Sequence, residues 1–121
     1  MRFLEKHIAQ ACTQFLELDG WRPFKMEPIS RREWGKGTGE IGQADYLYLR
    51  YVKGANCEHM HIEWKSKKGK AQQHQCDWHA KERARGALTL IAGEDFPKTI
   101  DGFVDWYFAS GLMRKNIGRP R

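Results

Sequence analysis

Apolar residues recur at intervals of three and four near the start of the chain, at Leu4, Ile8, Ala11, Phe15 and Leu18. This spacing follows one face of an α-helix, so it predicts an amphipathic helix over residues 3–19 that ends near Gly20. Residues 21–29 (WRPFKMEPI) predict a first strand. Their two prolines restrict that strand to a sheet edge or an irregular path, because proline cannot donate a ladder hydrogen bond.

Two later segments have strand-like patterns, residues 44–52 (ADYLYLRYV) and residues 57–65 (CEHMHIEWK). They predict two strands joined at residues 53–55, which form a hairpin. Successive side chains of a strand point to opposite faces, so the second strand has one apolar face and one polar face. The polar face comprises Cys57, His59, His61, Glu63 and Lys65.

The second half of the chain alternates between helical and strand patterns. Residues 71–85 predict a helix, residues 87–92 (ALTLIA) predict a short strand of the kind buried inside a sheet, and residues 100–108 predict a last helix that stops at Gly111. The predicted order is αβββαβα. We therefore expect an α/β fold in which helices flank a mixed central sheet.

Composition limits the class of protein. The 121 residues suit a single domain spanning residues 1–121, and 40% hydrophobic residues exclude a disordered chain. No apolar run reaches the roughly 18 residues of a membrane-spanning helix, and the charged first ten residues differ from a signal peptide. We expect a soluble, cytoplasmic protein with no membrane partner. Three cysteines without a C-x-x-C pair predict free thiols, mostly buried.

Positive charge is concentrated in two places. The formal net charge is +6, and lysines cluster at residues 65–70 while lysine and arginine cluster at residues 114–121. Such clusters suit a polyanionic partner, because each neutralised phosphate releases counterions. A solvated lysine surface is the alternative interpretation.

The predicted hairpin places two carboxylates side by side. With a three-residue turn centred on Gly54, paired residues have numbers that sum to 108, so Asp45 faces Glu63. Like charges that face each other across strands are destabilising unless a cation lies between them. A divalent ion with oxygen ligands, such as Mg²⁺ or Mn²⁺, resolves this conflict, and Lys65 emerges on the same face. The alternative is a solvated strand face in a different register.

Four short segments follow one another along the chain: GQADYLYL at residues 42–49, HIEWK at residues 61–65, QCDW at residues 75–78, and Gly86 before a short apolar strand. Together their G-x-x-D, E-x-K and Q-x-x-W motifs resemble the virus-type replication-repair nuclease (VRR-NUC) domain of the PD-(D/E)xK superfamily. The resemblance extends from Glu5 to about Trp106. It implies a restriction-endonuclease-like fold with an αβββαβ core. One departure is Ala44, where the superfamily pattern has proline.

The resemblance also implies roles for single residues. Asp45 and Glu63 would be the carboxylate ligands of Mg²⁺ or Mn²⁺, with the backbone carbonyl of Trp64 as a further ligand. Lys65 would be the catalytic lysine, and Gln75 would support the site from the following helix.

The family places a glutamate on its first helix, where Glu5 and Glu17 compete. At roughly 100° per residue, Glu5 lies at the rim of the apolar stripe and Glu17 points away from it. We therefore expect Glu5 to face the site. An ordinary glutamate in the first turn of a helix is the alternative.

Stand-alone members of this family are often carried by phages and bacteria and are similar to Holliday-junction resolvases, which act as dimers. The resemblance therefore implies a homodimeric endonuclease of DNA, acting on branched substrates such as Holliday junctions. Two alternatives stay open: a non-catalytic nucleic-acid-binding module on the same fold, and a restriction-type, sequence-specific endonuclease.

Several polar residues have more than one interpretation. Lys67, Lys68 and Lys70 are candidate phosphate contacts, with a solvated turn as the alternative. Arg31, Arg32 and Lys36 on the glycine-rich loop at residues 31–42 are further candidates, with a disordered loop as the alternative. His59 and His61 alternate with Glu63, and a neutral role in the polar strand face is the preferred interpretation for them. Lining the cleft floor, phosphate binding and a Zn²⁺ site are the alternatives, although no fourth zinc ligand is evident. Trp78 is expected to pack the glutamine helix against the sheet, with base stacking as the alternative.

Overall fold

The computed structural model describes residues 5–26, 40–54, 56–66 and 68–114. Their elements, in chain order, are α1 (Glu5–Leu18), β1 (Trp21–Lys25), β2 (Tyr46–Arg50), β3 (Glu58–Glu63), α2 (Gln73–Ala84), β4 (Thr89–Ile91) and α3 (Ile100–Ser110). The predicted αβββαβα order is confirmed, and the elements are somewhat shorter than the patterns suggested. Four of the candidate phosphate contacts lie outside the described residues: Arg31, Arg32, Lys36 and Lys67.

The strands form one mixed sheet in the order β1-β2-β3-β4. The first three strands are antiparallel, and β4 runs parallel to β3. Among the described strands β1 lies at an edge, which agrees with the expectation drawn from proline in this segment. Strand β4 was expected inside the sheet and instead lies at the other edge of the described strands. Both faces of β4 are nevertheless buried, since all three of its residues are buried.

The helices cover opposite faces of the sheet. On one face, α1 and α3 enclose the main core, where Leu16, Tyr48 and Phe103 are fully buried. On the other face, α2 contacts the sheet through His79, whose Nδ1 is hydrogen-bonded to the Thr89 hydroxyl. Because Thr89 neighbours Leu90 along β4, the two residues point to different faces, and Leu90 joins the main core.

A buried polar network closes the sheet end where β2 and β3 are joined. Arg50 donates a 2.9 Å hydrogen bond to Asp19 and a 2.8 Å hydrogen bond to Glu58, and Asp19 also accepts from the Tyr107 hydroxyl. Arg50 and Asp19 are both almost fully buried. A buried charge is tolerated when it is paired and hydrogen-bonded, so this network fixes α1, β2 and α3 relative to one another.

Two expectations from composition can be compared with the structure. The three cysteines are free thiols, but the expectation that most are buried is wrong: Cys12 is buried, Cys76 is half-buried and Cys57 is exposed. Among the described residues, no helix has the length and apolar character needed to cross a membrane.

Candidate metal centre and active site

Three carboxylates meet at the end of the sheet opposite to the hairpin turn. Tyr46 pairs with Ile62, as the predicted register requires, and Asp45 and Glu63 follow as the next facing residues. The first turn of α1 adds Glu5, and one oxygen from each of the three carboxylates lies within 4.8 Å of the others. Of the two glutamates that competed on α1, Glu5 therefore reaches the cluster, whereas Glu17 is exposed further along the helix.

The loop before Asp45 is held by close backbone packing. Gly42 has a φ of +83°, and a Cβ atom built at this position would overlap the carbonyl oxygen of His74 in the first turn of α2. The glycine therefore allows the loop to touch the helix. On its other side, the Met26 amide donates a 2.7 Å hydrogen bond to the Asp45 carbonyl. These contacts fix the backbone that carries the carboxylate.

Glu63 is the most enclosed member of the cluster, with 1% of its surface exposed. Among the described residues its buried Oε1 atom has no hydrogen-bond partner. Burial and the neighbouring Asp45 together raise the pKa of Glu63 to about 9, against the opposing effect of Lys65. Burial and Asp45 also raise the pKa of Glu5. Glu63 thus has a buried oxygen without a hydrogen-bond partner, and the surroundings oppose ionisation of both glutamates. A divalent cation would satisfy the oxygen and stabilise the ionised carboxylates, so the cluster fits a cation site.

Lys65 lies directly beside this cluster. Its Nζ atom is 3.4 Å from Glu63 Oε2 and donates a 3.0 Å hydrogen bond to Gln75 Oε1. The same Gln75 oxygen accepts a 2.9 Å hydrogen bond from the Gln72 amide, and Gln75 is part of the capping box that begins α2. The capping box fixes the side-chain amide of Gln75, and this amide holds the Lys65 ammonium next to the carboxylates.

The turn after Lys65 is basic and well supported. The Gly69 amide donates a 2.9 Å hydrogen bond to the Ser66 carbonyl, and Lys98 Nζ donates a 2.8 Å hydrogen bond to the Gly69 carbonyl. Lys68 and Lys70 are exposed on this turn. Of the predicted phosphate contacts, these two lie close along the chain to the carboxylate cluster.

The histidines of β3 lie apart from the cluster. Among the described residues, the group of three or more His, Cys, Asp or Glu side chains with suitable spacing for a metal ion is Glu5, Asp45 and Glu63, and neither His59 nor His61 belongs to it. The His61 ring instead makes an edge contact with Trp78 at a centroid distance of 5.2 Å.

The helix that carries Gln75 is anchored by Trp78. This side chain is half-buried, touches His61, and donates a 3.1 Å hydrogen bond from Nε1 to Glu40. These contacts agree with the packing role expected for it.

An open cleft of about 640 Å³ adjoins the carboxylates, and Trp64 is among the residues that line it. The other lining residues include Lys6, Lys25 and Tyr46, which sequence reasoning did not place at the site. The sequence pattern around each of these residues gives little indication of a site. Lys6 merely follows Glu5, and the position of Lys25 depends on the register between β1 and β2, where it pairs with Tyr46.

Fold and site together define a mixed α/β domain with an acidic cluster and an adjacent lysine at one end of its sheet. No protein-family model matches the chain, and no match is found among curated proteins or among solved structures. A function therefore has to be argued from the site itself.

Proposed function

We propose that this protein is a metal-dependent endonuclease that hydrolyses the phosphodiester bonds of DNA. The observation that carries the proposal is the convergence of Glu5, Asp45 and Glu63 beside Lys65. The site lies next to a basic turn on a chain with a net charge of +6, which favours a phosphate-rich substrate. The motif resemblance to VRR-NUC nucleases points to the same chemistry.

The donor set suits a hard divalent cation. Carboxylate oxygens are the ligands that Mg²⁺ and Mn²⁺ prefer, and Asp45, Glu63 and Glu5 would hold the ion, with the Trp64 carbonyl as a further ligand. When bound, such an ion supplies charge stabilisation at a phosphoryl oxygen and lowers the pKa of water.

The protein's own groups supply the remaining functions. Lys65 presents an ammonium to the reacting phosphate, where it donates hydrogen bonds to the developing negative charge or orients the attacking water. Gln75 keeps this ammonium in place through the 3.0 Å hydrogen bond to its Oε1 atom. Lys68 and Lys70 bind the substrate backbone, since exposed lysines on a turn suit phosphate contacts.

The substrate and the assembly follow from the family resemblance. Branched DNA, such as a Holliday junction, is the proposed substrate, and a homodimer is the proposed active form. Two symmetrically related sites are needed to cut two strands of such a junction symmetrically, and an isologous dimer provides them.

The experiment compares four DNA substrates with and without Mn²⁺: a four-way junction, a flap, a plain duplex and a plasmid. We expect metal-dependent cutting that favours the branched substrates. The Lys65→Ala variant should cut at least about 100-fold more slowly, the cost of losing a preorganised group that stabilises the transition state. Its DNA binding should stay nearly unchanged. Lys81→Ala on the exposed surface of α2 is the matched control and should cut like the wild type.

The results separate the proposal from its rivals. Salt-sensitive binding without cutting in Mn²⁺ would identify a non-catalytic nucleic-acid-binding module. Cutting of plasmid and duplex at one defined sequence would identify a restriction-type enzyme. Undiminished cutting by Lys65→Ala would refute the role given to this lysine.

A further inference from the structure

The cleft beside the carboxylate cluster is defined by its size and by the charged residues that line it. It has a volume of about 640 Å³ and opens between the first turn of α1 and the ends of β1, β2 and β3. Glu5 and Asp45 line it on the side of the proposed metal site, and Lys6 and Lys25 line it as well. Any substrate that reaches the carboxylates from this side therefore meets two lysines.

The charge balance of the site indicates what Lys6 and Lys25 contribute. A divalent cation together with Lys65 would neutralise the three carboxylates Glu5, Asp45 and Glu63. Lys6 and Lys25 would then remain as net positive charge at the cleft. Both side chains are exposed, so their ammonium groups need no compensating partner inside the protein. A loaded site is therefore electropositive and favours an anion next to the ion.

The size of the cleft and its apolar lining narrow the class of anion. Pockets of roughly 300 to 1,000 Å³ hold one small molecule, which corresponds to about one nucleotide and not to a stack of paired bases. Tyr46 lines the cleft, is half-buried, and has its ring stacked on that of Tyr48 at a centroid distance of 5.8 Å. Exposed aromatic surface beside lysines is the combination that proteins use to bind unpaired nucleotides.

We propose that the cleft binds an unpaired nucleotide adjoining the scissile phosphate, with Lys6 and Lys25 on its flanking phosphates and Tyr46 against its sugar or base. This inference rests on the proposed nuclease function. It specifies the substrate as DNA that exposes an unpaired nucleotide at the cut, as a flap or an opened junction does. Continuous duplex then depends on the basic turn at Lys68 and Lys70 for its binding.

The test measures binding apart from cutting. Fluorescence anisotropy follows binding of a labelled flap substrate and of a blunt duplex of the same sequence, with Ca²⁺ as the ion because it also takes oxygen ligands. The salt concentration is varied between about 50 and 200 mM. The double variant Lys6→Ala with Lys25→Ala is compared with the wild type. The matched control is Lys53→Ala, an exposed lysine in the turn at the other end of the sheet.

We expect the dependence of log Kd on log salt for the flap to fall by about 1.4 in the double variant, because each phosphate contacted on a single strand contributes about 0.7. The slope for the blunt duplex should stay unchanged, as should both slopes of Lys53→Ala. An unchanged flap slope overturns the inference. An equal loss on flap and duplex also overturns it, because the two lysines would then act as general surface charge.

Two further measurements distinguish this inference from its premise. Titration with Mn²⁺ alone shows whether the lysines merely balance the carboxylates. In that case their removal leaves the carboxylates more negative, so a large rise in Mn²⁺ affinity with an unchanged flap slope would assign them that role and refute the inference. Cutting in Mn²⁺ is assayed separately. A wild-type protein that cuts no DNA refutes the nuclease proposal, while the anisotropy slopes still decide whether the cleft binds an unpaired nucleotide.

Discussion

Replacing Glu63 by glutamine should stabilise the metal-free protein and abolish its metal binding. Glu63 is buried with an orphaned oxygen, and its pKa is raised to about 9 mainly by burial. The folded protein therefore holds a proton on this group that the unfolded chain, with a pKa near 4.5, has already released at neutral pH. Glutamine keeps the shape of the side chain and removes this proton uptake.

The magnitude follows from proton linkage. A group with a raised pKa in the folded state loses its stabilising proton as the pH rises, so the free energy of unfolding falls between the two pKa values. One proton corresponds to about 1.4 kcal/mol per pH unit, or roughly 2 kcal/mol between pH 7 and about 8.5. In Glu63→Gln this component of the slope should vanish. The measurements are made above about pH 7 because buried His79 also titrates at lower pH. Its pKa is lowered to about 4, so between about pH 4 and 6.5 it makes the free energy of unfolding rise with pH, opposite to Glu63.

The assay is urea unfolding followed by tryptophan fluorescence, in EDTA, at several pH values within this window. Glu17→Gln, an exposed substitution on α1, is the control and should keep the wild-type slope. Added Mn²⁺ should stabilise the wild type and leave Glu63→Gln unchanged, because ligand binding stabilises only a protein that retains the site. Equal slopes for wild type and Glu63→Gln would refute the assignment of the raised pKa.

Two other substitutions test how the site and the fold are supported. In the urea assay, Gly42→Ala should lower the free energy of unfolding by about 3 kcal/mol or more, since the added Cβ overlaps the His74 carbonyl, and it should also weaken Mn²⁺ binding. Gly54→Ala is the control: this glycine has a similar φ of +78° but open space around it, so the loss should be only about 1–2 kcal/mol. Equal losses for the two variants would contradict the packing argument. Arg50→Met should lower the free energy of unfolding by about 3–5 kcal/mol, because it removes the guanidinium from the buried Asp19 carboxylate. A loss below about 1 kcal/mol in urea unfolding would show that the network contributes little.

Much of the site was predictable because its central geometry is local. The order of elements follows from hydrophobic periodicity, which each segment carries in its own sequence. The predicted hairpin centre at Gly54 implies a register in which paired residue numbers sum to 108, and the observed pairs of β2 and β3 follow this register. The same register places Asp45 opposite Glu63. Lys65 then follows two positions later along the same strand direction. Glu5 also belongs to the carboxylate cluster, as its position on the helix indicated, because the face on which a helical residue lies depends on the helical repeat.

What the sequence could not decide depends on contacts between distant segments. An apolar pattern indicates that both faces of a strand are buried, but it does not indicate which strands pair with it. The position of β4 at an edge of the described strands was therefore decided by the packed sheet. Gly42 meets His74, and Lys6 and Lys25 line one cleft, because separate elements pack together at one end of the sheet. Periodicity and turn length set the local geometry of this chain, whereas side-chain packing between helices and sheet set the shape and charge of the surface that surrounds its carboxylates.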